Sequence, residues 1–408
     1  MGRPSAARVV MANPKAAGEV FLAFLKLGLT SFGGPIAHLG YFRDELVVRR
    51  RWIDEAGYAD LVALCQFLPG PASSQVGFAL GLLRGGALGA LAAWTAFTLP
   101  SALILILFAF GATAFAGPLG QGLLHGLKVV AVAVVAQAVW GMARTLTPDR
   151  QRASIAVLAV LVVVFVGGSV GQIGAIVLGG LAGLWLCRDP LAPTVGHLTF
   201  PVSPRVGAAA LVVFCLLLAL LPLASAALAV QGLALFDAFF RAGALVFGGG
   251  HVVLPLLRAE VVEPGWVTTD AFLAGYGVAQ AVPGPLFTFA AYLGAVALPE
   301  PNGLAGAAIA LVGVFLPGCL LVVGTLPFWD ALRTRPAAQA AMRGANAAVV
   351  GILGAALYDP VWTSAILSSY DFGLALVGFV LLTVWGAPPW VVVMVSAIGG
   401  AGLAMLAQ

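Results

Sequence analysis

The sequence predicts an all-α polytopic integral membrane protein, built as two inverted homologous repeats with re-entrant or discontinuous helix hairpins. Three observations carry this prediction. Of the 408 residues, 61% are hydrophobic and only 9% charged, with a mean hydropathy of +1.05. A soluble globule is about 25% charged, so these charges cannot cover a water-facing surface, and this much apolar surface excludes disorder. The chain also resembles itself at a fixed spacing, and its basic residues fall on one side of a membrane only if some apolar segments turn back. The net charge of +4 arises from 20 basic and 16 acidic residues with no basic block interleaved with aromatics, which excludes nucleic acid as a partner.

The repeat runs in register for over a hundred residues. Phe21, Phe24, Gly28, Phe32, Gly33 and Gly34 meet identical residues 215 positions later, and Lys26 meets Arg241. Trp52, Gln66 and Pro69-Gly70-Pro71 match Trp266, Gln280 and Pro283-Gly284-Pro285 at 214. Gly86, Gly89 and Pro100 match at 217, and Gly126 matches Gly344 at 218. The expected divisions are a cytoplasmic tail at 1–17, a transmembrane repeat at 18–187, a linker with one extra helix at 188–232 and a second repeat at 233–408.

Each repeat interrupts its helical pattern twice. Phe32-Gly33-Gly34-Pro35 is answered by Phe247-Gly248-Gly249-Gly250, and Leu68-Pro69-Gly70-Pro71 by Val282-Pro283-Gly284-Pro285. Proline removes an amide donor and glycine admits backbone angles that other residues resist, so Pro35, Pro69, Pro71, Pro283 and Pro285 mark structural helix breaks. The flanking pieces of about 12–15 residues reach roughly 20 Å, short of a hydrocarbon core of about 30 Å. Hairpins at 19–48, 56–83, 236–257 and 268–298, with spans at 87–115, 122–143, 153–170, 171–187, 207–230, 303–328, 343–359, 371–386 and 389–406, place 16 of the 20 basic residues on the inner face, Arg3 and Arg8 among them. That satisfies the positive-inside rule, whereas a complete span at 19–38 would put the Arg43–Arg51 cluster outside. Five crossings separate the two pairs of hairpins, an odd number, so the halves are inverted, as in transporters whose site lies near the midplane between repeats.

Cys65, Cys187, Cys215 and Cys319 lie far apart in apolar runs, which points to small buried hydrophobes rather than a metal site or disulfides. No cofactor is expected. Residues 1–18 are polar and no cleavage site follows the first apolar segment, so that segment is expected to be retained.

Intramembrane ionisable residues are functional candidates by default. Lys26 and Arg241 stand at equivalent positions shortly before a glycine break, with snorkelling to the headgroups as the alternative; Lys128 is a weaker third. Each break also begins a new half-helix whose free amides and positive dipole end suit an oxyanion. Candidate substrate ligands are therefore Gly33, Gly34, Gly70, Gly248, Gly249 and Gly284 at the breaks, Gln66 and Gln280 beside them, and Ser73, Ser74, Gln75 and Thr288 after them. Simple helix capping is the alternative for the hydroxyls. His38 and His251 follow the first breaks and could couple proton movement, or pack as neutral side chains. Asp60 is the candidate carboxylate of the first half, or a solvated helix start. His125 and His197 carry no informative context. No His–carboxylate or carboxylate pair stands at helical spacing near the breaks, which argues against an embedded enzyme such as a lipid phosphatase.

Phe32-Gly33-Gly34-Pro35, the stretch from Cys65 to Gln75 and Phe97-Thr98-Leu99-Pro100-Ser101 resemble the chromate ion transporter family, in its long two-domain form, over nearly the whole chain. The resemblance implies secondary active export of chromate, a sulfate-like oxyanion, from the cytoplasm across the bacterial inner membrane, with chromate resistance as the outcome. The second half is more divergent: Gly250 replaces the proline of the first break and no serine pair follows Pro285. A passive anion channel, or a transporter of another small anion such as sulfate, is the alternative. The expected partners are the oxyanion and the lipid bilayer; a homodimer is compatible with the sequence, but no heptad or soluble tail argues for one.

Overall fold

The computed structural model describes residues 14–111, 117–188, 200–247 and 249–406, and every regular element among them is helical. Arg3, Arg8, His197 and Gly248 lie outside the described residues. The first repeat opens with α1 (Pro14–Thr30) and α2 (Gly34–Phe42), the latter prolonged by a π-helical stretch, Arg43–Arg49. Then come α3 (Glu55–Phe67) and α4 (Ala72–Gly111). Gly85 and Gly86 leave helical angles inside α4, so 72–84 completes a hairpin with α3 and 87–111 runs on as a separate span. Next are α5 (Pro118–Leu146), α6 (Arg150–Val166), α7 (Gly168–Leu186) and the extra helix α8 (Pro204–Leu228).

The second repeat restates this order. Its hairpins are α9 (Gln231–Ala244) with α10 (Val253–Val261), and α11 (Thr269–Ala281) with α12 (Phe289–Val296), the latter preceded by a 3-10 turn at Leu286–Thr288. There follow α13 (Gly303–Thr325), the short α14 (Trp329–Leu332), α15 (Pro336–Ala356), the short α16 (Thr363–Ala365), α17 (Ser369–Thr383) and α18 (Pro389–Leu406). Six stretches among the described residues are long and apolar enough to cross a membrane, and they belong to α4, α5, α7, α8, α13–α14 and α15–α16.

Local chemistry sets the helix starts. Asp54 caps α3 by accepting the Gly57 amide at 2.7 Å, and Thr268, its equivalent 214 residues later, caps α11 through the Ala271 amide at 3.2 Å. Each cap satisfies an amide that the first helical turn leaves open. Asp149 caps α6, where the Arg152 amide and guanidinium hold its carboxyl below the usual range.

The hairpins fold back as the charge argument requires. Glu19, early in α1, accepts from Trp52 Nε1 at 3.2 Å and Arg84 Nη2 at 2.9 Å and lies 3.9 Å from Arg50 Nη1. The Arg50 and Arg84 guanidinium carbons each lie 5.8 Å from the Trp52 ring centre. One cluster therefore closes both hairpins of the first repeat at one end. At that same end Arg333 Nη1 donates to Asp60 Oδ1 at 2.9 Å and Arg343 Nη2 donates to the Cys187 carbonyl at 2.6 Å. The second repeat's hairpins close at the opposite end: the Leu298 amide donates to the Trp266 carbonyl at 2.9 Å, and Ser169 at the start of α7 donates to Glu260 at 2.8 Å.

Packing is closest where side chains vanish. A Cβ on Gly28 would lie 2.9 Å from the Phe97 carbonyl oxygen, and one on Gly243, its equivalent, 2.1 Å from that of Val314. Lipid tails are as apolar as leucine, so tight backbone approach of this kind holds membrane helices together. The long helices exchange partners between repeats: α5 packs on α17 and α18, and α15 on α6 and α7. The two halves thus form one body, with the four breaks gathered inside it.

Candidate functional site

The breaks meet pairwise across an approximate two-fold axis. The Gly70 amide donates to the Val246 carbonyl at 2.7 Å, and the Gly284 amide donates to the Ser31 carbonyl at 2.9 Å. Gly70 and Gly284 are equivalent, as are Ser31 and Val246, so each repeat's second break is tied to the other's first by the same bond. Both glycines have positive φ, 121° and 96°, which strains any other residue. A Cβ on Gly250 would lie 3.3 Å from Pro35 Cγ, so the first breaks also touch.

Beside this crossing lies a cavity of about 300 Å³. Its walls are Gly33 and Gly34 from the first break, Gln280, Val282, Gly284 and Leu286 around the fourth, His251 after the third, Val134 and Gln137 on α5, and the α17–α18 turn. No Asp, Glu, Lys or Arg is among the described lining residues, and His251 is the one titratable side chain among them. Three helix N-termini open onto it: α2 at Gly34, the Leu286–Val296 helix, and α18 at Pro389. The positive dipole ends of these helices make the local potential positive without a formal charge. The C-terminus of α11 opposes them in part.

Gln280 lines this cavity, and its side-chain amide sits beside the Tyr276 hydroxyl with Nε2 itself buried. His251 Nδ1 lies 2.8 Å from the Tyr276 hydroxyl, a contact that fixes the ring at the cavity edge.

The structure therefore brings Gly33, Gly34, His251, Gln280 and Gly284 to one cavity, and leaves the other expected ligands elsewhere. Lys26 donates to Glu45 at 2.7 Å, and Arg241 to Glu260 at 2.7 Å with Asp237 Oδ2 3.2 Å away. Glu45 also accepts from Arg49 and Arg50. These are equivalent ion pairs that close equivalent hairpins, and neither cation reaches the cavity wall. Lys128 donates to Asp270 on α11. Ser73 Oγ lies 3.3 Å from His38 Nδ1, and the His38 ring packs edge-on against Phe97, 5.4 Å between centres. Ser74 Oγ is buried and unpartnered. Gln75 bridges the Pro69 and Gly318 carbonyls, and Thr288 donates to the Pro285 carbonyl. Gln66 is exposed. A Cβ on Gly249 would lie 3.7 Å from Met142 Sδ, and Gly249 is not part of the cavity wall. Asp60 is held by Arg333 and by Trp329 Nε1 at 3.0 Å.

Three features escaped the reading of the sequence. Gln137 and the α17–α18 turn reach the cavity only through tertiary packing, although Gly386 followed by two prolines signals a helix start. Glu45 and Glu260 were readable: the offset that pairs Lys26 with Arg241 also aligns Arg43-x-Glu45 with Arg258-x-Glu260. The third is a His–carboxylate pair away from the breaks, His125 Nε2 with Asp371 Oδ1 at 2.7 Å.

Comparison with known proteins agrees with this architecture. The chain is similar to the chromate transport protein of Pseudomonas aeruginosa, 31% identical over 401 residues covering 95% of this chain and 92% of that protein. It is 30% identical to a probable chromate transport protein of Synechococcus elongatus, over 92% of this chain and 93% of the relative. A chromate transport protein of Cupriavidus metallidurans is 28% identical over 83% of this chain and 81% of its own length. No solved structure matches. The family model described as chromate transporter matches twice, over residues 18–184 and 233–401, once on each repeat. This chain is a multi-pass plasma-membrane protein and belongs to the chromate transporter family.

Proposed function

We propose that the protein exports chromate from the cytoplasm by secondary active transport, taking the dianion into the cavity between the repeats. The observation that carries this reading is the convergence of three helix N-termini and the Gln280 side chain on a cavity whose lining residues include no carboxylate. An oxyanion there meets the positive ends of helices that are already in place, so little reorganisation opposes binding. Neutral donors also hold a dianion loosely enough for release. Lys26 and Arg241 keep the hairpins closed in this reading, and the reciprocal bonds of Gly70 and Gly284 keep the breaks in register.

His251 is the proposed coupling group, because a proton on its ring would sit beside the bound anion. A cavity that opens at the end carrying Arg333, Arg343 and the Arg43–Arg51 stretch, the cytoplasmic end by the positive-inside rule, supports loading of the anion from the cytoplasm. Chromate resistance is then the consequence in the cell.

Reconstitution in proteoliposomes tests this. Chromate flux that saturates and responds to an imposed pH gradient is the expected result. An ohmic chromate current would make the protein a channel instead, and flux of sulfate without chromate would reassign the substrate.

A further inference from the structure

The two repeats differ at one interface. In the second repeat α10 packs directly on α7 and α15. Ser169 Oγ donates to Glu260 Oε1 at 2.8 Å and Gln172 Nε2 donates to the Pro255 carbonyl at 3.0 Å, fastening the hairpin down. By the repeat's own spacing, the matching interface in the first repeat is α2 against α18 and α5. There the faces stand apart around the cavity, and a Cβ placed on Gly34 would meet nothing within 4 Å.

At the packed interface a crevice of about 40 Å³ remains, lined by Gln172, Pro255, Arg258, Ile352 and Ala355, with Asp359 exposed at its rim. Ile352 and Ala355 are the equivalents of Val134 and Gln137 in the cavity wall, since 352 − 134 and 355 − 137 are both 218, the offset of Gly126 and Gly344. The crevice is thus the collapsed counterpart of the cavity at the opposite end of the molecule. Its chemistry is unfinished. Arg258 Nε is buried with no partner, Glu263 stands 3.4 Å from its Nη1, and Gln172 Oε1 is also unpartnered. Arg43, the equivalent of Arg258, instead gives two hydrogen bonds to Glu55, at 2.9 and 2.7 Å.

We propose that this crevice is the oxyanion's second doorway, latched by Ser169–Glu260 and Gln172–Pro255, and that Arg258 receives the anion when it opens. The inference rests on the transport reading and extends it. Inverted repeats exchange conformations: when α2 closes on α5 and α18, α10 leaves α7 and α15, and the collapsed space becomes the open one. A guanidinium with an unpartnered Nε and a loosely engaged fork suits a tetrahedral oxyanion better than a lysine would.

The test uses the full-length protein with its four native cysteines replaced, reconstituted and treated with a membrane-impermeant maleimide from either side. Gln137→Cys reports on the cavity and Ala355→Cys on the crevice. Gln137→Cys should react from the side of Arg333, and Ala355→Cys should be slow. Adding Ser169→Ala, which spares the Arg241–Glu260 pair, removes a hydrogen bond to a carboxylate and should speed Ala355→Cys labelling about tenfold. That labelling should come from the opposite side, with Gln137→Cys slowed in parallel. Reaction of both cysteines from one side, or no response to Ser169→Ala, overturns the doorway. Arg258→Gln, with the native cysteines in place, should stay folded yet lower chromate flux about tenfold, with partial recovery in Arg258→Lys. Unchanged flux in Arg258→Gln overturns the role of Arg258. Alternate labelling of the two reporter variants, with no chromate carried by the wild-type protein, overturns the oxyanion assignment and the transport reading together, while leaving the latch supported by labelling alone.

Discussion

Gln66 and Gln280 occupy equivalent positions and meet different fates. Gln66 is exposed, whereas Gln280 is part of the cavity wall. A hydrogen bond to a charged group is worth about 1.5–3 kcal/mol, roughly 10- to 150-fold in affinity. Gln280→Leu should therefore raise the apparent Kd for chromate at least about tenfold, with Gln66→Leu near wild type, as read by anion binding to the purified variants. Equal effects would mean that both breaks hold anion alike. Ser73 and Ser74 show where residue-level reading stops. Their position after a Pro-Gly-Pro break was visible in the sequence, but it could not say that Ser73 would lie against His38 of the first hairpin, itself packed on Phe97. Nor could it say that Gly70's amide would be taken by Val246. Sequence spacing locates a break; which free groups remain there depends on what the other repeat brings to it.

The hairpins are the elements most legible from the sequence, because length, glycine–proline breaks and arginine placement all argued against simple spans. Their fastenings were legible only in part. Lys26 and Arg241 stood out as cations in apolar helices, while their partners Glu45 and Glu260 were obscured by lying near the hairpin ends. Lys26 is half exposed, and such pairs contribute about 0.2–1 kcal/mol. Lys26→Ala should accordingly lower Tm by a few degrees in detergent and leave chromate affinity unchanged; a tenfold loss of affinity would return Lys26 to the binding site. Glu45 is nearly buried and answers three cations, so Glu45→Ala should destabilise more. The contact between α9 and α13 permits a sharper expectation. A side chain on Gly243 would overlap the Val314 carbonyl, and overpacking of a rigid backbone contact costs at least about 1–3 kcal/mol. Gly243→Leu should abolish monodisperse protein on gel filtration, and Gly18→Leu, which meets nothing within 4 Å, should not.

For the whole molecule, inversion of the repeats and the side on which the cavity opens are one question. The Glu19–Arg50–Arg84 cluster, the Asp60–Arg333 pair and the Arg343–Cys187 contact all lie at one end. The α17–α18 turn, which lines the cavity, lies there too, because α18 runs antiparallel to α5 with its Gly400 against Gly126 and Gly122. Positive-inside bias makes that end cytoplasmic. Val48 and Trp385 are exposed there, while Leu298 and Tyr370 are exposed at the other end. Single cysteines at these four positions should therefore divide two and two: Val48→Cys and Trp385→Cys labelled from the cytoplasm, Leu298→Cys and Tyr370→Cys from outside. The pairing is independent of which face is inner, since the fold alone requires Val48 to share a side with Trp385. Labelling of Val48→Cys opposite to Trp385→Cys would break the hairpin architecture itself. A consistent two-and-two division with the faces exchanged would keep the architecture and reverse the direction in which the cavity presents its anion.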